Sequence, residues 1–330
     1  MTMSNQELLA KLDSAFKFIT VGDLNQGVLQ PGKFDAFIRA MQQRTMILNE
    51  ARFIKMDSQQ EDIDRVGFVG RVLRSGTDDA GAHRELPQNQ FVSPAFNTNN
   101  LVAVELQAIT GIRDRALRRN IERAGFENTL IDLFGEAAGR DLEEFGLLAD
   151  ENIAWADDDV LSLTDGWIEL ADNKVYGLAG GVGRDFDPAD PEEMFDAMIQ
   201  ALPKQFLQNR AEWRFYVDFE VEDSYRNILK ARGTALGDTA QTTANPLVYK
   251  GIPVKYCPMI ERSDDATGAG RVATLQHPDN MAWGVFHEVT IEKDRIPKDR
   301  RTDFVLTFEG DVGYEDENAA VSAYLNRARP

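Results

Sequence analysis

The chain has one cysteine, Cys257, and three histidines, His83, His277 and His287, in 330 residues. A single thiol leaves no internal disulfide, so folding in an intracellular compartment fits best. The histidines share no H-x-x-x-H spacing and none neighbours Cys257, which leaves zinc and Cys/His catalysis poorly supported. No G-x-S-x-G is present for a serine nucleophile. No apolar run approaches the roughly 18–20 residues needed to cross a bilayer. Residues Met1 to Glu7 lack the basic-then-apolar pattern of a signal peptide. Cations are outnumbered: 36 Lys and Arg face 55 Asp and Glu, a formal net charge of −19. Such a surface repels phosphates, which disfavours direct nucleic-acid binding as the main task. It is compatible with a wall that encloses DNA without adhering to it.

What is there is ordinary globular material, 43% hydrophobic and 28% charged, in a chain long enough for two folded units. Residues 4–19 read as an amphipathic helix that opens on the capping box Ser4/Glu7 and carries Leu8, Leu12, Ala15, Phe16 and Ile19 on one face. A second short helix holds Phe34, Phe37, Ile38 and Met41. Residues 51–73 are strand-like, 74–100 are polar and rich in turn formers, and strand character returns at Leu101–Leu106. Strand, long polar excursion and returning strand describe an elongated hairpin, and loops of that length are usually functional.

The strongest helical periodicity runs over 114–148, through Leu117, Ile121, Leu130, Phe134, Leu142 and Phe145. Unbroken, such a helix is roughly 50 Å long. Gly125, Gly135, Gly139 and Gly146 predict a bend, a break or close packing. Arg113, Arg115, Arg118, Arg119 and Arg123 crowd its start, against the macrodipole; a solvated face, an acidic partner or the cargo would each accommodate them. Further on, 191–209 and 224–231 read as helices, 213–217 as a buried strand and 247–256 as a turn between strands. Residues 234–245 and 263–270 read as loops. Trp283, Val285, Val289 and Ile291 lead through the charged turn 294–301 into Phe304, Leu306 and Phe308, an antiparallel pair. No internal repeat is present.

Motifs that mimic chemistry dissolve on inspection. Gly27 to Lys33 fits G-x-x-x-x-G-K, but Phe34 stands where a phosphate loop needs Ser or Thr, and Pro31 removes one cradle N–H. Gly177 to Gly183 lacks G-x-G-x-x-G spacing. The clusters Asp157-Asp158-Asp159 and Glu315-Asp316-Glu317 lack the alternating ligands and glycine of a calcium loop, and solvated faces suffice for both. The sequence therefore assigns no catalytic residue, no metal ligand and no cofactor.

The order of elements carries a resemblance, and so do three stretches: Asp165-Gly166-Trp167-Ile168, Asn245 to Val254 and Arg301 to Tyr314. Together they resemble the major capsid proteins of tailed bacteriophages, over nearly the whole chain. The resemblance implies an α+β fold, the tailed-phage capsid fold: an N-terminal arm at 1–50, then a peripheral domain that begins at 51–155. That domain includes an extended hairpin loop at 71–104 and a spine helix at 114–148. A mixed α/β axial domain follows at 156–274, and closing strands and C-terminus at 275–330. It implies a structural subunit and no enzyme, self-assembling through pentamers and hexamers into an icosahedral virion shell around double-stranded DNA. Assembly would take place in the host cytoplasm, without a membrane. Implied partners are copies of itself, a portal and a decoration protein.

Two departures from the family sharpen this. Some members cross-link the extended loop through a lysine, and here no lysine lies between Lys55 and Lys174, so a non-covalent shell is expected. Some carry a fused scaffolding domain; here the arm begins almost at Met1, so a separate scaffolding protein is expected. The alternatives are an encapsulin-type compartment, which shares the fold, and a carboxylate-dependent hydrolase, which would need a pocket of convergent carboxylates.

Overall fold

A computed structural model describes residues 45–68, 72–77, 83, 85, 91, 94–113, 124–177, 184–231, 247–261 and 270–325. The helices expected at 4–19 and 34–41, the Gly27–Lys33 loop and the loop at 234–245 lie outside the described residues, as do the first residues of the long helix, 114–123.

Two sheets and a ribbon organise the chain. The first sheet has four strands in the order β1-β10-β11-β4: β1 (Arg52–Lys55), β10 (Met281–Ile296), β11 (Arg301–Tyr314) and β4 (Val104–Arg113). β10 and β11 form the expected antiparallel pair from Met281↔Tyr314 to Ile296↔Arg301, with register shifts between Val285 and His287 and between His287 and Thr290. The second sheet has six strands in the order β5-β12-β9-β6-β8-β7. These are β5 (Asn173–Tyr176), β12 (Ala320–Tyr324), β9 (Arg271–Gln276), β6 (Arg214–Val217), β8 (Ile252–Tyr256) and β7 (Leu247–Tyr249). The ribbon pairs β2 (Gln60–Phe68) with β3 (Pro94–Val102); it is the root of the extended hairpin.

Local chemistry explains the elements. The long helix, α1, is described from Ala124 to Leu148; Ala138, Leu142, Phe145, Leu147 and Leu148 are buried along it. Gly146 allows close packing there: a Cβ at this position would meet Val312 at 3.0 Å and Trp167 at 3.4 Å. A short helix α2 (Trp167–Leu170) follows. Helix α3 (Pro191–Ala201) starts at Asp190, whose carboxylate accepts from the N–H groups of Glu192 and Glu193, with Pro191 in the first turn. It stops at Leu202, held extended before Pro203. The helix expected over 191–209 thus ends at Ala201 and continues only as the 3₁₀ turns Lys204–Phe206 and Arg210–Glu212. Helix α4 (Phe219–Ala231) begins earlier than the expected 224. A last short helix, α5, spans Pro258–Glu261. The β7–β8 turn needs two left-handed residues, Lys250 at φ 47° and Gly251 at φ 90°.

Two main cores result. One lies between the four-stranded sheet, α1, α2 and one face of the six-stranded sheet, with Trp167, Trp283, Phe304, Phe308, Tyr314 and Tyr324. The other lies under α3 and α4 on the opposite face, with Phe195, Trp213, Phe215, Tyr225 and Leu275. The last described strand, β12, belongs to the six-stranded sheet between β5 and β9, not beside β10 and β11. The residue-274/275 divide read from sequence falls inside β9.

Candidate assembly surfaces

The positions flagged in the sequence scatter across the molecule. Cys257 is buried in the first core. His83 is exposed and bridges Thr77 in the polar excursion. The His277 ring lies edge-on to Trp213 and accepts from the N–H of Asp279. His287 sits in β10 opposite Glu309. Asp158 caps its own turn, accepting from the N–H groups of Val160 and Leu161 at 2.9 Å. Glu315 pairs with Arg52 at 3.1 Å. Asp316 accepts from the N–H of Asn318. Burial, then the nearby Asp172, raises the Glu317 carboxyl. Of the Gly177–Gly183 loop only Gly177 is described, packed against Phe186. Among the described residues no group of three or more His, Cys, Asp or Glu is placed to hold a metal ion.

A cavity of about 760 Å³ is lined by Asp185, Asp190, Glu193, Asp196, Lys174 and Tyr249. Its carboxylates have structural work. Asp185 accepts from the Tyr176 N–H, Asp190 caps α3, and Asp196 holds Tyr249 and Lys250. The Lys250 contact draws the Asp196 carboxyl below its usual range, although burial works against it.

Three features that position surfaces emerge only in three dimensions. The first is the segment 45–51, the exit of the N-terminal stretch. The buried Glu143 carboxylate of α1 accepts from the Ile47 N–H, and the N–H groups of Met46 and Leu48 also point to it. Burial raises its pKa and those three donors hold it down in part. Glu50 reaches the opposite way, to Tyr216 at 2.5 Å and to Lys255 on the face of the six-stranded sheet. Burial and then Glu50 push the Tyr216 hydroxyl above its usual range. A chain entering here is pinned from two sides.

The second is the ribbon root. Met56, Ile63, Leu101 and Ala103 form a small core with Ala282. The sheet is dented to receive them: a Cβ on Gly284 would meet Met56 at 2.7 Å, and one on Gly313 would meet Leu101 at 2.8 Å. Asp311 accepts from the N–H groups of Val102 at 2.9 Å and Val312 at 2.8 Å, with the Thr164 hydroxyl at 3.4 Å. Burial pushes the Asp311 carboxyl up to about 6. Asn99 donates to the Tyr314 carbonyl at 2.8 Å.

The third is exposed apolar area. Leu73 is 81% exposed and Phe91 63%, in the polar excursion beyond the ribbon. Ile109 is 61% exposed on β4, an edge strand, and Trp155 is 65% exposed in the loop after α1. Large apolar side chains held in water mark contact sites when they cluster, and a lone two-stranded ribbon is marginal in water without a partner. Sequence reasoning located the excursion but missed Glu143, Asp311 and Trp155. The one signal available was a carboxylate set within an apolar run, as in Asp311-Val312-Gly313-Tyr314.

The described residues thus combine a pinned segment at 45–51, a two-stranded ribbon, a long helix packed with a four-stranded sheet and a mixed six-stranded sheet. No protein-family model matches the chain. A Bacillus subtilis (strain 168) protein named "Putative prophage capsid protein YqbE" is 28% identical over 322 residues, covering 96% of this chain and 97% of that one. Among solved structures, a chain of the satellite phage P4 procapsid with its size determination (Sid) protein superposes with TM-score 0.64 at 14% identity, covering 98% and 99% of the two chains. A chain from Gordonia phage Cozz gives TM-score 0.56 at 14% identity over 86% of this chain and 87% of that one. The phage PhiM1 mature capsid gives 0.54 at 13% identity over 86% and 88%. The chain thus has the capsid fold of these phage chains.

Proposed function

We propose that the chain is the major capsid protein of a tailed phage or prophage, a structural subunit and not an enzyme. The observation that carries this reading is likeness over nearly all of both chains, in sequence to the protein named as a putative prophage capsid protein and in fold to a procapsid chain. The subunits assemble through pentamers and hexamers into an icosahedral shell around double-stranded DNA, which the acidic surface encloses without sequence-specific binding. Residues 1–50 act as the arm and the hairpin at 71–104 reaches over a neighbouring subunit. Residues 51–155 with β10 and β11 form the peripheral domain, and 156–274 with β12 the axial domain. The P4 procapsid includes a size determination protein; by analogy this shell forms in the host cytoplasm with a separate scaffolding protein, and carries a portal.

The test is negative-stain electron microscopy of the purified protein, alone and co-expressed with its neighbouring genes. Closed shells, tubes or ring-like capsomers are expected. A dispersed monomer or dimer under every condition would sink the reading.

A further inference from the structure

The four-stranded sheet ends in a cationic edge. The β10–β11 turn and the last residue of β4 bring Arg113, Lys298, Arg300 and Arg301 together, all exposed. Register sets Arg301 directly opposite Arg113, and like charges so placed destabilise a ladder. Arg301 also reaches Asp303 at 3.0 Å. In a chain of net charge −19, this concentration asks for an anionic partner.

The same chain offers one at the far end of the sheet. There Asp311 touches Thr164, and the loop between α1 and α2 holds Trp155, 65% exposed, among exposed Glu151, Asp157 and Asp159. No Lys, Arg or His occurs between Arg140 and Lys174. The loop is also well tied. Asp150 donates its N–H to Leu161 at 2.8 Å, Gly166 donates to Ala149 at 2.8 Å, and Asp150 and Asp158 cap its turns. A tryptophan on such a loop surrenders little freedom on docking, and Trp and Arg are the side chains that most often dominate interface energy. Arg301 and Asp311 are ten residues of one strand apart, on the order of 30 Å, so the two ends cannot meet within one chain.

We propose that the cationic end of the four-stranded sheet binds the Trp155 loop of a second copy, head to tail, with an arginine over the indole face and the remaining cations against the loop carboxylates. Because the paired surfaces differ, the contact repeats from copy to copy instead of stopping at a dimer, giving a ring where the rotation closes and a filament where it does not. The inference rests on the capsid-subunit reading and specifies one of its contacts. Packaged DNA is the competing anion. The exposed Asp294 and Asp299 interleaved with these cations, and the exposed indole opposite, favour a protein surface.

The experiment compares full-length wild type with Lys298→Glu/Arg300→Glu, Asp157→Lys/Asp159→Lys, the combined exchange, and Trp155→Ala. Each is first checked for native thermal unfolding and then assembled and imaged. Each reversal alone should lower shell yield by about tenfold or more, and the combined exchange should restore it. Trp155→Ala should lose assembly at low and high salt alike. Normal shells from both single reversals and from Trp155→Ala overturn the inference while leaving the capsid reading intact. So does a loss of binding to a labelled DNA duplex in Lys298→Glu/Arg300→Glu with assembly unchanged. If wild type forms no assemblies either alone or co-expressed with its neighbouring genes, the capsid reading falls and this contact with it.

Discussion

The Asp311 carboxylate accepts the backbone N–H of Val102 across 209 positions of sequence, at 2.9 Å, and so fastens the end of the β2–β3 ribbon to the four-stranded sheet. Burial raises its pKa to about 6 from the usual 3.8. The folded state therefore holds this proton more tightly than the unfolded one. The associated stability is fully present below about pH 3.8 and is lost as pH rises through about 6. The gap corresponds to roughly 3 kcal/mol at most. Asp311→Asn should flatten the pH dependence of urea unfolding between pH 4 and 7. It should also cost about 1–3 kcal/mol, because its amide turns a donor toward Val102 or Val312. An unchanged pH profile in the variant would contradict this account.

Glu143→Ala leaves the buried N–H groups around Ile47 without their acceptor. A loss of about 2–3 kcal/mol is expected, read by denaturant midpoint at constant slope. Limited proteolysis should cut within 45–51 faster than in wild type. Glu143→Gln keeps a carbonyl oxygen for part of the cluster and should fall between the two.

Gly166→Ala should be among the most damaging single-methyl changes. The added Cβ would lie 2.9 Å from Ala149 N, Gly146 O and Leu147 C, all backbone atoms at the end of α1. Overpacking of this kind costs about 1–3 kcal/mol. The readout is again the unfolding midpoint, with Gly76→Ala, which meets nothing within 4 Å, as the neutral control.

Mature particles should run as one monomer band on a denaturing gel. The 118-residue stretch from Met56 to Asn173 has no lysine, so no residue of that stretch offers a side-chain amine for an isopeptide bond. A ladder of cross-linked species would refute this.

The sequence made the long periodic elements legible. The β10–β11 pair and the body of α1 were plain because apolar residues recur in the sequence at periods of 2 and 3.6. The Asp165-Gly166-Trp167-Ile168 motif stood out too, and its reason is now physical. Gly166 admits the turn against α1, while the Trp167 indole donates to the Gly313 carbonyl at 3.0 Å and its own carbonyl accepts from Tyr314. What stayed hidden was set by contact across sequence. Glu143 looked like any helix glutamate until the segment at 45–51 folded over it. The start of α4 at Phe219 was missed because Phe219 is exposed and breaks the apolar stripe. β12 was not legible because the sequence reading gave 320–324 no strand of its own; its five residues are all buried, without the alternation that marks a half-exposed strand.

That last strand bears on the timing of folding. β12 lies inside the six-stranded sheet, and it is the neighbour of β5. A nascent chain emerges at about 5–20 residues per second, N-terminal parts first. Until residues 320–324 are released, the sheet has an open slot and the second core stays unsealed. A chain cut short before residue 320 is therefore left with β5 unpaired to β12 and the second core open, however complete the rest of its fold.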